Sequence, residues 1–317
     1  MRASSVGLGL AVLSAATFGT SGSFASSLMA VGWTPAAAVT TRVGLAALLL
    51  TVPALLQLRG RWAQLRRSLP AVLGYGVFAV GGAQLFFFNA VEHLSVGVAL
   101  LLEYSGTLLV VAWVWLVHGH RPRRLTVAGG AVAIVGLVLV LDLTGAQRVD
   151  VVGVLWGLAA ATGLAVYFVL SSDTEDRVPP IAMAWSGLTI GAVILLVAGL
   201  AHVVPMHAST ADADFAGHRT SFLVPVIGLS LVAAVVAYSA GIGAARRLGA
   251  RLASFVGLAE VLFAVLFAWL LLAQRPNLVQ AVGGAVVLIG IALVKAGERD
   301  EPVAVAPEPP AALEPAA

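Results

Sequence analysis

The sequence predicts an all-α membrane protein: ten transmembrane helices in two inverted five-helix repeats. Three observations lead there. Of 317 residues, 60% are hydrophobic and only 10% are charged, where a soluble domain carries about 25% charged residues. Mean hydropathy is +1.00, and apolar runs of roughly 20 residues, the length that crosses a bilayer, recur along the chain. Finally, the chain repeats itself at a fixed register.

The repeat is clearest between residues 94 and 140. This copy holds Leu94-Ser95-Val96-Gly97-Val98-Ala99, Arg121-Pro122, Gly129-Gly130-Ala131-Val132, Gly136 and Leu139-Val140. The second holds Leu248-Gly249-Ala250-Arg251-Leu252-Ala253, Arg275-Pro276, Gly283-Gly284-Ala285-Val286, Gly290 and Leu293-Val294. The offset is constant (276 − 122 = 154; 290 − 136 = 154). Upstream, Ala15-Ala16-Thr17 matches Ala160-Ala161-Thr162, and Pro35 matches Pro180, at an offset of 145. The difference places an insertion between Pro180 and Leu248, where the polar stretch 201–220 outgrows its counterpart 58–69. A fixed register through these landmarks reads as an internal duplication. It divides the chain into a first five-helix repeat at 1–145, a second at 146–297 and a tail at 298–317.

In chain order the predicted spans are 6–29, 36–56, 69–90, 96–117, 125–143, 151–171, 181–203, 222–244, 252–273 and 278–295. They are too long and too continuous for the alternating strands of a barrel. Breaks at Gly19, Gly22, Pro53, Gly81-Gly82 and Pro225 are tolerable where neighbouring helices satisfy the freed backbone. The first run continues as a full span, so no cleavable signal peptide is expected. The stretch 202–221, with His202, His207, Asp212, Asp214 and His218, reads as a solvated external loop. The Pro/Ala/Glu-rich tail cannot bury a core and is expected to be disordered.

Basic residues set the orientation. With the N-terminus in the cytoplasm, the inside segments hold Arg2, Arg59, Arg61, Arg66, Arg67, Arg121, Arg123, Arg124, Arg177, Arg246, Arg247, Arg251, Lys295 and Arg299. Only Arg148, Arg219 and Arg275 fall outside, and Arg42 lies within a span. Both termini are therefore expected in the cytoplasm of a multi-pass protein of the cell (inner) membrane. Basic residues explained by topology argue for no nucleic-acid partner. Five spans per half is an odd number, so the second half enters the membrane in the opposite sense. Inverted repeats of this kind characterise secondary transporters, whose site lies near the midplane between the halves.

Ionisable groups inside a bilayer cost about 2.5–3.5 kcal/mol each on insertion scales, which makes each a functional candidate. Arg42, Glu103 and Glu260 are such groups. The 154 offset maps Glu260 onto Gly106, nearly one helical turn after Glu103, so both carboxylates fall on equivalent faces of equivalent helices. Glu260 is expected to contact a substrate cation or exchange a proton. Glu103 has that role and a structural one open to it, and Arg42 is expected to pair with Glu103. Gln84 and Asn89 carry amides deep enough to need partners, and Tyr104 adjoins Glu103. Tyr75, Tyr167, Tyr238, Trp113, Thr17, Ser21, Ser23 and Ser239 could also shape the cavity, but the aromatic residues are expected mainly in the interfacial belt and the hydroxyls mainly bonded to backbone or neighbouring helices. The glycines of spans five and ten allow close approach and predict the seam between the halves.

This pattern resembles the EamA family of the drug/metabolite transporter superfamily. The resemblance rests on Arg42 in span two, Leu94 to Ala99 opening span four, Glu260 in span nine and Arg-Pro ahead of the Gly-Gly helix, and it covers about residues 6–296. Where many relatives place Glu-Pro in span nine, Glu260 is followed here by Val261, which removes the proline that would break the helix. Where many have Trp-Ala-X-Tyr in span six, Gly163-Leu164-Ala165-Val166-Tyr167 keeps part of it. The resemblance implies a proton- or gradient-linked carrier that exports small metabolites, often amino acids or related compounds.

The expected function is therefore secondary-active export of amino-acid-like metabolites by alternating access. Glu103, Glu260, Gln84, Asn89, Tyr104 and Arg42 are its substrate-binding candidates. Efflux of drugs or toxic cations on the same fold is the alternative, and a non-transporting scaffold is a third. Protons are the candidate coupling ion, and the expected assembly is a monomer. No cofactor, metal site or catalysis is expected: there is no cysteine, no Gly-rich phosphate loop and no convergent nucleophile set.

Overall fold

Long apolar sequence yields helix almost throughout the computed structural model, which describes residues 2–94, 96–119, 121–140, 150–172, 178–273 and 275–298. Outside the described residues lie Ser95 of the first repeat motif, the end of span five at 141–143, Arg148, the acidic loop with Asp173, Glu175, Asp176 and Arg177, and the tail from Arg299 onward.

The first half runs α1 (Arg2–Gly19), α2 (Ser21–Met29), α3 (Pro35–Leu58), α4 (Trp62–Arg67), α5 (Leu69–Gly74), a π-helical stretch (Tyr75–Gly82), α6 (Ala83–His93), α7 (Val96–Tyr104), α8 (Gly106–His118) and α9 (Arg124–Val140). The second runs α10 (Val151–Ser172), α11 (Pro180–Leu200), β1 (Ala213–Phe215), β2 (His218–Thr220), α12 (Leu223–Ile227), a second π-helical stretch (Gly228–Val236), α13 (Ala237–Gly257), α14 (Ala259–Leu272) and α15 (Leu278–Glu298). Among the described residues, eight helical stretches are long and apolar enough to cross a membrane. Two further apolar helices, α9 and α14, are shorter. The expected count of ten thus becomes eight full-length stretches and two short ones, because residues after Val140 are not described and span nine is broken at Leu258.

Local chemistry sets many of the ends. Thr34 accepts the Ala37 amide at 3.3 Å ahead of Pro35, an N-cap followed by proline at the first helical position. Asn277 and Gln280 cap α15 reciprocally: Gln280 N donates to Asn277 Oδ1 at 2.8 Å, and Asn277 N to Gln280 Oε1 at 3.1 Å, the geometry of a capping box. Within α13, Gly249 adopts φ 77° and ψ 160°, a conformation open to glycine. Spans eight and nine are therefore joined by one non-helical residue.

The 154-residue spacing reappears in the irregularities. The two π-helical stretches end at Gly82 and Val236, again 154 apart (236 − 82 = 154). Helix breaks at Ser105, between α7 and α8, and at Leu258, between α13 and α14, fall one residue from that register.

Helices α9 and α15 pack along glycines. A Cβ on Gly129 would meet the Gly290 carbonyl at 2.8 Å, and one on Gly136 would meet the Gly283 carbonyl at 2.9 Å. Residue 129 facing 290 while 136 faces 283 makes the two helices antiparallel. Trp185 Nε1 donates to Thr51 Oγ1 at 3.1 Å between α11 and α3. The π-helical stretch after α5 lies on α11, with Gly76 against Ile190 and Gly81 against Ile194.

The expected solvated loop at 202–221 is instead docked on the turn between α2 and α3. Trp33 Nε1 donates to Ser209 O at 2.6 Å, and Thr34 N to His207 O at 2.9 Å. Phe215 stacks on Phe24 with centroids 4.9 Å apart, and Ala213 is fully buried. Phe24, Trp33, Met206, Phe215 and Phe222 are apolar surface that a free loop would leave in water, and burying it against α2 and α3 holds the hairpin in place.

Candidate substrate cavity

Eight segments converge on one cavity of about 550 Å³, within the range of small-molecule sites. Its walls come from α1, α2, α3, the Tyr75–Gly82 stretch with α6, α7, α10, α13 and α14; no lining residue comes from α9, α11 or α15. The glycine-seamed pair thus stands outside the hollow, as the sequence reading of those helices requires. The cavity reaches Met29 and Pro35, at one end of α2 and α3.

Five of the six predicted site residues line it: Arg42, Gln84, Glu103, Tyr104 and Glu260. Asn89 does not. Its amide instead donates to the Leu85 carbonyl at 2.7 Å, one turn back on its own helix.

Arg42 is 6% exposed. Its Nη1 donates to Ser21 Oγ at 3.0 Å and its Nη2 to the Ala233 carbonyl, and the guanidinium lies 5.5 Å over the Phe18 ring. Among the described residues it makes no ion pair with Glu103, contrary to the expectation from sequence. The carboxylate whose field it shares is Glu260. The arginine's partners come instead from α2 and the Gly228–Val236 stretch, through Ser21 and the Ala233 carbonyl.

Glu103 and Glu260 sense one another across the cavity. Tyr104 adjoins both, and Tyr238 lies within reach of both carboxylates and of Arg42. A carboxylate in such surroundings needs a counter-charge, a proton or a hydrogen-bond donor to offset its lost hydration. Here it has Tyr104, a shared arginine and whatever occupies the hollow.

The aromatic wall was underweighted by sequence reasoning. Tyr167 and Tyr238, open to a cavity role but expected mainly at the interface, are 7% and 4% exposed and line the cavity with Phe18, Phe87 and Phe168. Their rings interlock: Phe18 meets Tyr238 edge-on at 5.0 Å, and Tyr238 meets Tyr167 at 5.9 Å. The partial span-six motif ending at Tyr167 was the available signal. Trp113, by contrast, is 47% and Trp115 46% exposed on the outer face. In span nine the helix does break, at Leu258, two residues before Glu260 and without a proline.

Comparison with known proteins decides the family. The EamA-like transporter family matches twice, over residues 5–142 and 151–296. This chain belongs to the EamA-like transporter family. It is a multi-pass membrane transporter of that family. An uncharacterized inner membrane transporter, YicL, of Salmonella typhimurium (strain LT2) is 22% identical over 228 residues, covering 70% of this chain and 73% of that protein. A solved protein crystal structure shares the fold, with a TM-score of 0.73 and 22% identity over 93% of this chain and 98% of that one.

Proposed function

We propose that this EamA-family transporter is a secondary-active exporter of small, amino-acid-like metabolites. The observation that carries the reading is the convergence of one guanidinium, Arg42, and two carboxylates, Glu103 and Glu260, on a single hollow inside an apolar bundle. A zwitterion carries both charges such a site complements: its carboxylate suits the arginine and its ammonium suits the acids. Gln84 and Tyr104 supply hydrogen bonds, and Phe18, Tyr167 and Tyr238 supply apolar walls. Asn89 acts through its helix. Protons are the coupling ion in this reading, taken up and released by the acids.

Alternating access follows from two inverted five-helix repeats, at 1–145 and 146–297, with a tail beyond. Support comes from the two family matches, from the antiparallel run of α9 and α15, and from π-helical stretches that recur at the repeat offset. The transporter acts as a monomer in the cell inner membrane with both termini in the cytoplasm, an orientation supported by the arginine distribution.

The acids outnumber the arginine, and six aromatic rings line the cavity with them, so efflux of an organic cation is the second reading. Counterflow in proteoliposomes separates the two. The exporter reading expects a labelled neutral amino acid to exchange and a quaternary ammonium dye not to exchange. Exchange of the dye alone would reverse the assignment. A periplasm-active reporter fused at the C-terminus should be silent; activity there would overturn the orientation.

A further inference from the structure

A second hollow, of about 520 Å³, lies at the far end of α3 from the cavity mouth, lined by Gln57, Arg59, Arg61, Pro179, Pro180 and Arg246. Gln57 is 15 residues beyond Arg42 on α3, about 22 Å along the helix axis. Three arginines converge on this hollow, and the N-terminus of α11 opens into it at Pro180. Both features favour an anion. Under the orientation proposed above, this end faces the cytoplasm.

Between the two hollows runs a short row of hydroxyls. Tyr167 lines the central cavity. Its ring lies 5.8 Å from that of Tyr75. Ser171 is one turn beyond Tyr167 on α10 and adjoins the Tyr75 hydroxyl, which in turn senses Arg246. Tyr75 and Ser171 are fully buried and Tyr167 is 7% exposed; the Tyr75 and Ser171 hydroxyls reach only one another and Tyr167 reaches Ser14, none in well-formed hydrogen-bond geometry, and Gln57 Oε1 is buried without a partner. Buried hydroxyls are almost always bonded. Here a poorly satisfied row of hydroxyls lies in a cluster otherwise built by apolar residues such as Val72, Ala182 and Leu188. Polar groups kept along one line, and only loosely bonded in this state, suit a line that hydrates in another state.

We propose that the Arg59–Arg61–Arg246 hollow is the intake vestibule for a carboxylate-bearing substrate, and that Tyr75, Tyr167 and Ser171 form the closed door between it and the cavity. The proposal rests on the exporter reading. The arginines draw the substrate's carboxylate from bulk water, and the hydroxyl row bonds it or its water as the helices part. In the present state the door is shut and the cavity communicates with the Met29–Pro35 end. The arginines are positioning groups for capture, distinct from Arg42 in the cavity.

The chain has no cysteine, so introduced thiols report cleanly. Gln57→Cys and, separately, Ser171→Cys are reconstituted in phosphatidylcholine vesicles and treated, from the face carrying Arg59, with anionic and cationic methanethiosulfonates of similar size. The vestibule predicts that Gln57→Cys reacts about tenfold or more faster with the anionic reagent, and that Arg59→Gln with Arg61→Gln removes this preference. Ser171→Cys should react only while a substrate gradient drives turnover. Equal or cation-favouring rates at Gln57→Cys would overturn the vestibule, and an inert Ser171→Cys during measured turnover would overturn the door. Loss of the anionic preference on adding phosphatidylglycerol would assign the hollow to a lipid headgroup and also overturn the proposal. The charge preference at Gln57→Cys needs no transport. If the parent moves no amino acid, the exporter reading fails on its own account and the vestibule is still judged by its own rates.

Discussion

Replacing Gly290 with valine tests the antiparallel seam that supports the proposed two-repeat architecture. A Cβ at Gly290 would stand 2.5 Å from the Ala133 nitrogen and 2.7 Å from its Cα and Cβ. Non-bonded carbon atoms settle at about 3.5–4.0 Å, so α9 and α15 would have to part by about 1 Å. That opening would run along the seam and loosen the approaches of Gly129, Gly136 and Gly283 as well. Overpacking of this kind costs about 1–3 kcal/mol, and valine adds methyls to the clash. Its better helix propensity than glycine returns only about 0.5 kcal/mol. The net expectation is a loss of about 2 kcal/mol, or roughly 4 °C in apparent Tm for a chain of this size. Intrinsic tryptophan fluorescence of detergent-purified protein measures it. Gly284→Ala is the matched control. Its new Cβ meets only Leu262 Cδ2, at 3.4 Å, so its Tm should equal or exceed the parent's. A Gly290→Val protein that melts with the parent, or a Gly284→Ala protein that melts as far below it, would refute the seam.

Three further outcomes follow from the site and its surroundings. Asn89→Ala should leave counterflow KM unchanged, because Asn89 bonds its own helix, whereas Gln84→Ala should raise it; the same kinetic assay reads both. Arg42→Lys should abolish exchange and lower Tm. Lysine cannot reproduce the planar fork that reaches Ser21, Ala233 and the Phe18 face, and each lost charge-assisted bond is worth about 1.5–3 kcal/mol. Phe215→Ala removes a stacked pair worth about 0.5–1.5 kcal/mol beyond its burial. It should loosen the docked hairpin, seen as faster limited proteolysis between Ala213 and Thr220 with the helical bundle intact.

Much of this architecture was legible in the sequence because the bilayer leaves few options. Apolar runs of span length have to be helices, and a register shared by Arg-Pro, Gly-Gly and a later Gly identified α9 and α15 as counterparts before any coordinates. The carboxylates were legible for the same reason, since a charge in lipid stands out. What escaped notice depended on three-dimensional company. Tyr167 and Tyr238 look like belt residues in sequence, and only the convergence of α10 and α13 on α1 turns them inward. Asn89 looked like a cavity amide until its bond to Leu85 accounted for it. Arg42 was assigned the wrong acid, because the repeat register says which faces correspond but not which side chains meet. The hairpin at 213–220 hid in a polar stretch whose few apolar residues, Met206, Phe215 and Phe222, gave no periodic signal.

The central claim is that Glu103 and Glu260 face the transported molecule across one cavity. The direct measurement is counterflow of a labelled neutral amino acid by parent, Glu103→Gln and Glu260→Gln proteins in matched proteoliposomes, each first shown to melt cooperatively. The account predicts that exchange is lost with Glu260→Gln and weakened with Glu103→Gln. Both variants exchanging at the parent's rate and KM would contradict it.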